Sequence, residues 1–135
     1  MPHLATADPE FITLLASYSK EVQGTARAAR QLILELIPGA VEVVDTTTGV
    51  IGFGYGTGYK DMVCTLILSK GGVKLGLVGG ASLPDPRKLL EGSGKVHRYV
   101  ALSRPADLRR PGVRPLLHAT LAAWRRKSVV GKWKG

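Results

Sequence analysis

A single cysteine in 135 residues rules out an internal disulfide framework and any zinc site built on several thiolates. No apolar run approaches the ~20 residues of a membrane-spanning helix. Residues 1–10 also lack the basic-then-apolar order of a secretory signal. Acidic residues nearly vanish toward the C-terminus. From Lys95 to Gly135 eleven Lys and Arg face only Asp107, whereas Met1 to Gly94 holds eight against nine Asp and Glu. What is plentiful is apolar: 44% of residues are hydrophobic and 21% charged, with a formal charge of +9. These proportions describe a soluble globular chain, long enough for one domain to bury roughly two-thirds of its unfolded surface. The expectation is a cytoplasmic protein with one domain over residues 1–127. A basic tail over 128–135 follows, and its loss should cost little stability.

Punctuation and hydrophobic period divide the chain. Asp8 can cap a helix that starts at Pro9 and carries Phe11, Leu14, Leu15, Tyr18 and Val22 at helical spacing. Gly24 reads as a break, and a second helix follows from about Thr25 to Ile37, stopped by Pro38-Gly39. Strands are expected over Val41–Asp45, Val50–Tyr55, Met62–Ser69, Val73–Leu77 and Val96–Leu102, with a hairpin turn at Lys70-Gly71-Gly72. Met62–Ser69 is apolar at both parities, the pattern of a central strand covered on two sides. Ala81 to Gly94 reads as a loop with one helical turn near Arg87 to Leu90. Val113, Leu116, Leu117, Thr120, Leu121 and Trp124 form one stripe of a last helix, expected to end near Lys127. The fold class is α+β: an N-terminal αα-hairpin, a mainly antiparallel sheet of about five strands, and a C-terminal helix.

Familiar chemical motifs fail on context. Gly52, Gly54, Gly56 and Gly58 precede a strand-like run, whereas a dinucleotide fingerprint needs them to open a helix whose N-terminus meets the pyrophosphate. Gly94-Lys95 has neither the earlier glycine nor the following hydroxyl of a P-loop. Cys64 sits in the most apolar strand, where an inert buried thiol is expected. His97 and His118 lack ligand spacing, so no metal ligands are assigned, no cofactor is implied and no catalytic set is assignable. The glycines still need a cause. In a strand Gly52, Gly54 and Gly56 share one face, and a face without side chains admits something close to the backbone. The commoner occupant is a tightly packed helix. The alternative makes the three glycines a pocket floor.

The segment Ser82-Leu83-Pro84-Asp85-Pro86, followed by Leu89-Leu90-Glu91-Gly92-Ser93-Gly94-Lys95 and Arg98, resembles the characteristic loop of the YdhG-like family, small bacterial domains of unknown function. Leu36-Ile37-Pro38-Gly39-Ala40 also fits, and the likeness runs from about Leu32 to Trp124. It implies an α+β domain with an antiparallel sheet and flanking helices, and, through some relatives, a frataxin-like iron chaperone. Frataxin-like iron binding uses an acidic surface, from which this basic chain departs. The function expected is a small binding module for an unknown small ligand or protein partner, as monomer or homodimer, with no membrane association. The alternatives are nucleic-acid or phosphate binding through the basic C-terminal region and iron handling. Candidate binding residues are Asp85, Glu91, Lys95, His97, Arg98 and Tyr99. Period-2 alternation places Arg98 on the face of Val96, Val100 and Leu102, a core face on which a guanidinium needs a carboxylate; Asp85 and Glu91 are the candidates. Arg98 with Lys95 would otherwise form an anion clamp.

Overall fold

The computed structural model describes the backbone from Pro9 to Lys134 and side chains as far as Lys127. Asp8, the expected cap, and the side chains of 128–135 lie outside the described residues. Helix α1 spans Pro9–Leu15 and α2 spans Lys20–Leu36. The break therefore falls at Ala16–Ser19 and not at Gly24. Ser19 decides it, because its hydroxyl accepts the Val22 N–H at 3.2 Å and so caps α2. Gly24 simply continues the helix. Pro38-Gly39 stops α2 as its residues require, with Gly39 at φ +75°.

Six strands then form one antiparallel sheet, one more than expected: β1 Val41–Asp45, β2 Val50–Gly54, β3 Met62–Ser69, β4 Gly72–Leu77, β5 Leu90–Glu91 and β6 Arg98–Leu102. Their order is β1-β2-β3-β4-β6-β5. The helical turn expected near Arg87–Leu90 does not form: a turn closed by the Lys88 N–H on Asp85 O at 3.1 Å leads into the short edge strand β5, paired with Tyr99 and Val100. Short 3₁₀ turns occupy Tyr59–Asp61, Gly80–Ser82 and Pro105–Arg109. Helix α3 covers Val113–Lys134, so its backbone stays helical past Lys127. Among the described residues no helix is long and apolar enough to cross a membrane.

The core lies on one face of the sheet. Ile51, Phe53, Cys64, Leu66, Leu75, Leu77, Val100 and Leu102 are buried against Phe11, Leu15, Ala26, Ala29, Ile33, Val113, Leu117 and Leu121 of the three helices. The stripe expected on α3 is thus the one that docks. Thr120 sits within it at 1% exposure, and its hydroxyl is satisfied by the carbonyls of Val63 (3.3 Å) and Val78 (3.0 Å). The ion pair inside this layer is Arg30–Glu42. Nε donates to Oε2 at 2.7 Å and Nη2 to Oε1 at 3.1 Å, with the guanidinium 5.2 Å from the centre of the Phe11 ring. Such a two-point fork satisfies a half-buried cation that packing alone would leave unpaired.

Candidate functional site

The opposite face of the sheet carries no helix among the described residues. Strand register fixes what it presents. Val43, Gly52, Thr65, Gly76, Tyr99 and Glu91 form one cross-strand row, and Asp45, Val50, Ile67, Lys74 and Ala101 form the next. Above these rows lies a concavity of about 500 Å³, bounded at one end by Asp45 and Thr48 and at the other by Tyr59, Met62, His97 and Arg98. The occupant expected over the glycines, a packed helix, is on the other side of the sheet. Strand β3 is likewise covered on one face only, with Thr65 and Ile67 half-buried on the open one.

The floor is low because two positions lack a side chain. A Cβ at Gly52 would come within 2.5 Å of Met62 Sδ, and one at Gly76 would collide with Thr65 Oγ1. Each glycine lets its neighbour lie flat on the sheet. Gly54 and Gly56, expected on this floor, do something else. A Cβ at Gly54 would strike the backbone of Asp61 and one at Gly56 its carboxylate, so both glycines admit the Asp61 turn.

At the basic end, His97 is fixed through both ring nitrogens. Gly79 N–H donates to Nδ1 at 3.0 Å, and Nε2 lies 2.7 Å from Tyr59 Oη. A backbone N–H can only donate, so Nδ1 is bare and the ring proton sits on Nε2. Nε2–H therefore donates to Tyr59 Oη, leaving the phenol hydrogen free to donate elsewhere. Gly79 can aim its N–H this way because it holds φ +74°. The neighbouring Gly80 lies against Arg98 so closely that a Cβ would stand 2.9 Å from the Arg98 backbone nitrogen. Ala81 N–H reaches Val96 O at 2.8 Å, which ties the chain carrying His97 and Arg98 to the end of β4. Tyr59 and His97 also form one wall of a second hollow of about 370 Å³, closed on its far side by Trp124 and Lys127 of α3.

The remaining expected residues fall elsewhere. Asp85 does not meet Arg98: its two oxygens accept the N–H groups of Leu89 (2.8 Å) and Leu90 (2.9 Å), so it organises its own loop. Glu91 lies exposed in β5 opposite Tyr99, and Lys95 is exposed in the following loop. Arg98 makes no ion pair among the described residues. Its Nε donates to Gly94 O at 2.7 Å, because β6 ends at Arg98, where the core layer ends too. Tyr99 lines the cavity with Lys74 Nζ 4.5 Å above its ring. Tyr59, Met62 and Gly76 were not among the expected site residues. The signal for them was the doubly apolar pattern of Met62–Ser69 and the lone glycine among the alternating residues of β4.

Several C-terminal cations are spent locally: Arg114 on Glu35 (3.0 Å) and Arg110 on Ala101 O (3.0 Å). Cys64 is buried, and burial pushes its thiol up to about 12. No three His, Cys, Asp or Glu among the described residues gather as a metal site would require. Compared with protein-family models, curated proteins and solved structures, the chain has no match.

Proposed function

We propose that the chain is a YdhG-like binding domain that takes a small, largely apolar ligand on the open face of its sheet. One observation carries this. A solvated face of an antiparallel sheet alternates to polar residues, yet the outward positions here are Val43, Val50, Gly52, Thr65, Ile67, Gly76, Tyr99 and Ala101, with Asp45, Lys74 and the edge residue Glu91 charged. Apolar side chains left half-exposed gain less for folding than they would fully buried. Gathered round a hollow of about 500 Å³, with a few polar groups converging at one end, they have the size and composition of a small-molecule site.

The test is binding of the neutral fluorescent probe N-phenyl-1-naphthylamine to the intact protein. The probe should brighten with the native chain, and Ile67→Lys should abolish the signal while leaving the far-UV spectrum unchanged. Equal brightening with Ile67→Lys would place the probe elsewhere and overturn the proposal.

A further inference from the structure

We infer that the ligand of this cavity is a flat apolar molecule bearing one carboxylate, its ring system on the Gly52–Thr65–Gly76 row and its acid group against Tyr59 and Arg98. The inference rests on the binding function proposed above and specifies its chemistry. Three features of the cavity lead to it.

The polar groups at the Tyr59 end are donors in want of an acceptor. Tyr59 receives the His97 Nε2–H and so presents its own hydrogen outward. Tyr59 is also 75% exposed and lines the cavity, so that hydrogen is available to a ligand there. Arg98 spends only Nε, on Gly94 O, and its terminal nitrogens have no partner among the described residues. Tyr59 and Arg98 both line this end of the cavity, and a phenol O–H together with a planar guanidinium supplies the kind of donors that the two oxygens of a carboxylate accept.

Charge limits the group to a monoanion. Arg98 is the one Lys or Arg among the described lining residues; Lys74, on the same face, holds its ammonium 4.5 Å over the Tyr99 ring, across from which Glu91 offsets its charge, and His97 has both ring nitrogens taken by Gly79 and Tyr59. Asp45 stands at the opposite end, its carboxylate held below the ordinary range by the Thr48 hydroxyl and the Thr48 and Thr47 N–H groups. It would repel an acid group placed there, so the ligand has one orientation. Between the ends the floor is level because Met62 lies along Gly52 and Thr65 leans over Gly76. A level floor suits a planar body, and the unbranched thioether of Met62 can adjust to its edge.

The probes are 2-naphthoate and its uncharged isostere 2-naphthamide, titrated at pH 7 into isotopically labelled protein and followed by amide shifts. Both should move Gly76 and Tyr99, with naphthoate about tenfold tighter, the worth of one charge-assisted hydrogen bond. Arg98→Gln should erase that difference. Tyr59→Phe, which alters no charge, should weaken naphthoate about tenfold, while Arg126→Gln, an equal charge loss away from the cavity, should change nothing. Equal affinity of the two probes would overturn the carboxylate and leave the apolar site standing. Absence of shifts at Gly76 and Tyr99 with either probe would overturn the site as well. Dimerisation in sedimentation that buries Tyr99 would overturn both, by giving the face to a second copy of the chain.

Discussion

Gly54→Ala and Gly24→Ala are the same chemical change with opposite expected signs. At Gly24, inside α2, a Cβ meets nothing within 4 Å. The methyl removes backbone freedom from the unfolded chain and adds helix propensity, so Gly24→Ala should stabilise by about 0.5–1 kcal/mol. At Gly54 the new Cβ collides with Asp61 O and stands 2.8 Å from both Asp61 C and Met62 Cα. All three are backbone atoms, so no side chain can turn aside. The strand pair must open, which sacrifices the 2.9 Å bond from Tyr55 N to Asp61 O. Overpacking of this kind costs about 1–3 kcal/mol and the lost bond about 1 more, so Gly54→Ala should destabilise by about 3 kcal/mol. For a chain of this length that is a fall in Tm of roughly 10 °C, against a rise of about 2–3 °C for Gly24→Ala. Urea denaturation followed by circular dichroism reads both. A Gly54→Ala midpoint indistinguishable from wild type would show that the Asp61 turn is not held against β2.

Cys64, with its thiol pushed up to about 12 by burial, should not react with a thiol reagent at pH 8 in the native protein, and its labelling rate should equal that of global unfolding. Fast labelling would mean that β3 is accessible. Asp107 is held ionised chiefly by the Ser103 N–H at 2.7 Å, which outweighs the opposing effect of burial, and further by the Arg104 N–H and the charges of Arg110 and Arg104. Its folded value lies below its unfolded one, so its contribution is full above about pH 4 and disappears as pH falls through the folded value. Wild type should therefore be more stable than Asp107→Asn at pH 6, and the gap should close as pH falls below the ordinary carboxylate range; a gap that persists undiminished in acid would refute the assignment.

Much of the frame was legible because it depends on local signals. The α3 stripe from Val113 to Trp124, the Lys70-Gly71-Gly72 turn and the stop at Pro38-Gly39 each follow from residues adjacent in sequence. The α2 boundary was harder, since a lone glycine is tolerated inside a helix at modest cost and only the Ser19 cap marks the start. The interior ion pair was expected at Arg98 and found at Arg30–Glu42. Alternation shows which face a residue takes but not whether the core extends to the end of its strand. At Arg98 it does not, so the guanidinium finds a loop carbonyl, while Asp85 closes its own turn. The open face was the least legible part. An apolar run at both parities states that two faces are unsuited to water, not that protein covers both.

The cavity and the Gly54 close approach are products of one irregularity in the sheet. Across β2 and β3, Phe53 pairs with Cys64 but Gly54 pairs with Met62, so Val63 is an extra residue in β3. In an unbroken strand Met62 would share the helix-side face of Cys64 and Leu66, and Val63 would share the open face with Thr65. The bulge reverses both. Val63 is completely buried, its carbonyl accepting from Thr120 of α3, and Met62 is delivered to the open face, lying along Gly52. The same bend brings the Tyr59–Asp61 turn over β2, where Gly54 and Gly56 leave room for it, and so places Tyr59 within 2.7 Å of His97. A bulge that only ended strand pairing would have no reason to exchange an apolar side chain for another between faces. Here the exchange supplies the adjustable edge and the hydroxyl of the cavity, and the Asp61 backbone packed on Gly54 keeps it in place. Loosening that contact should therefore disturb the open face through Tyr59 and Met62 before it disturbs the helix-covered core.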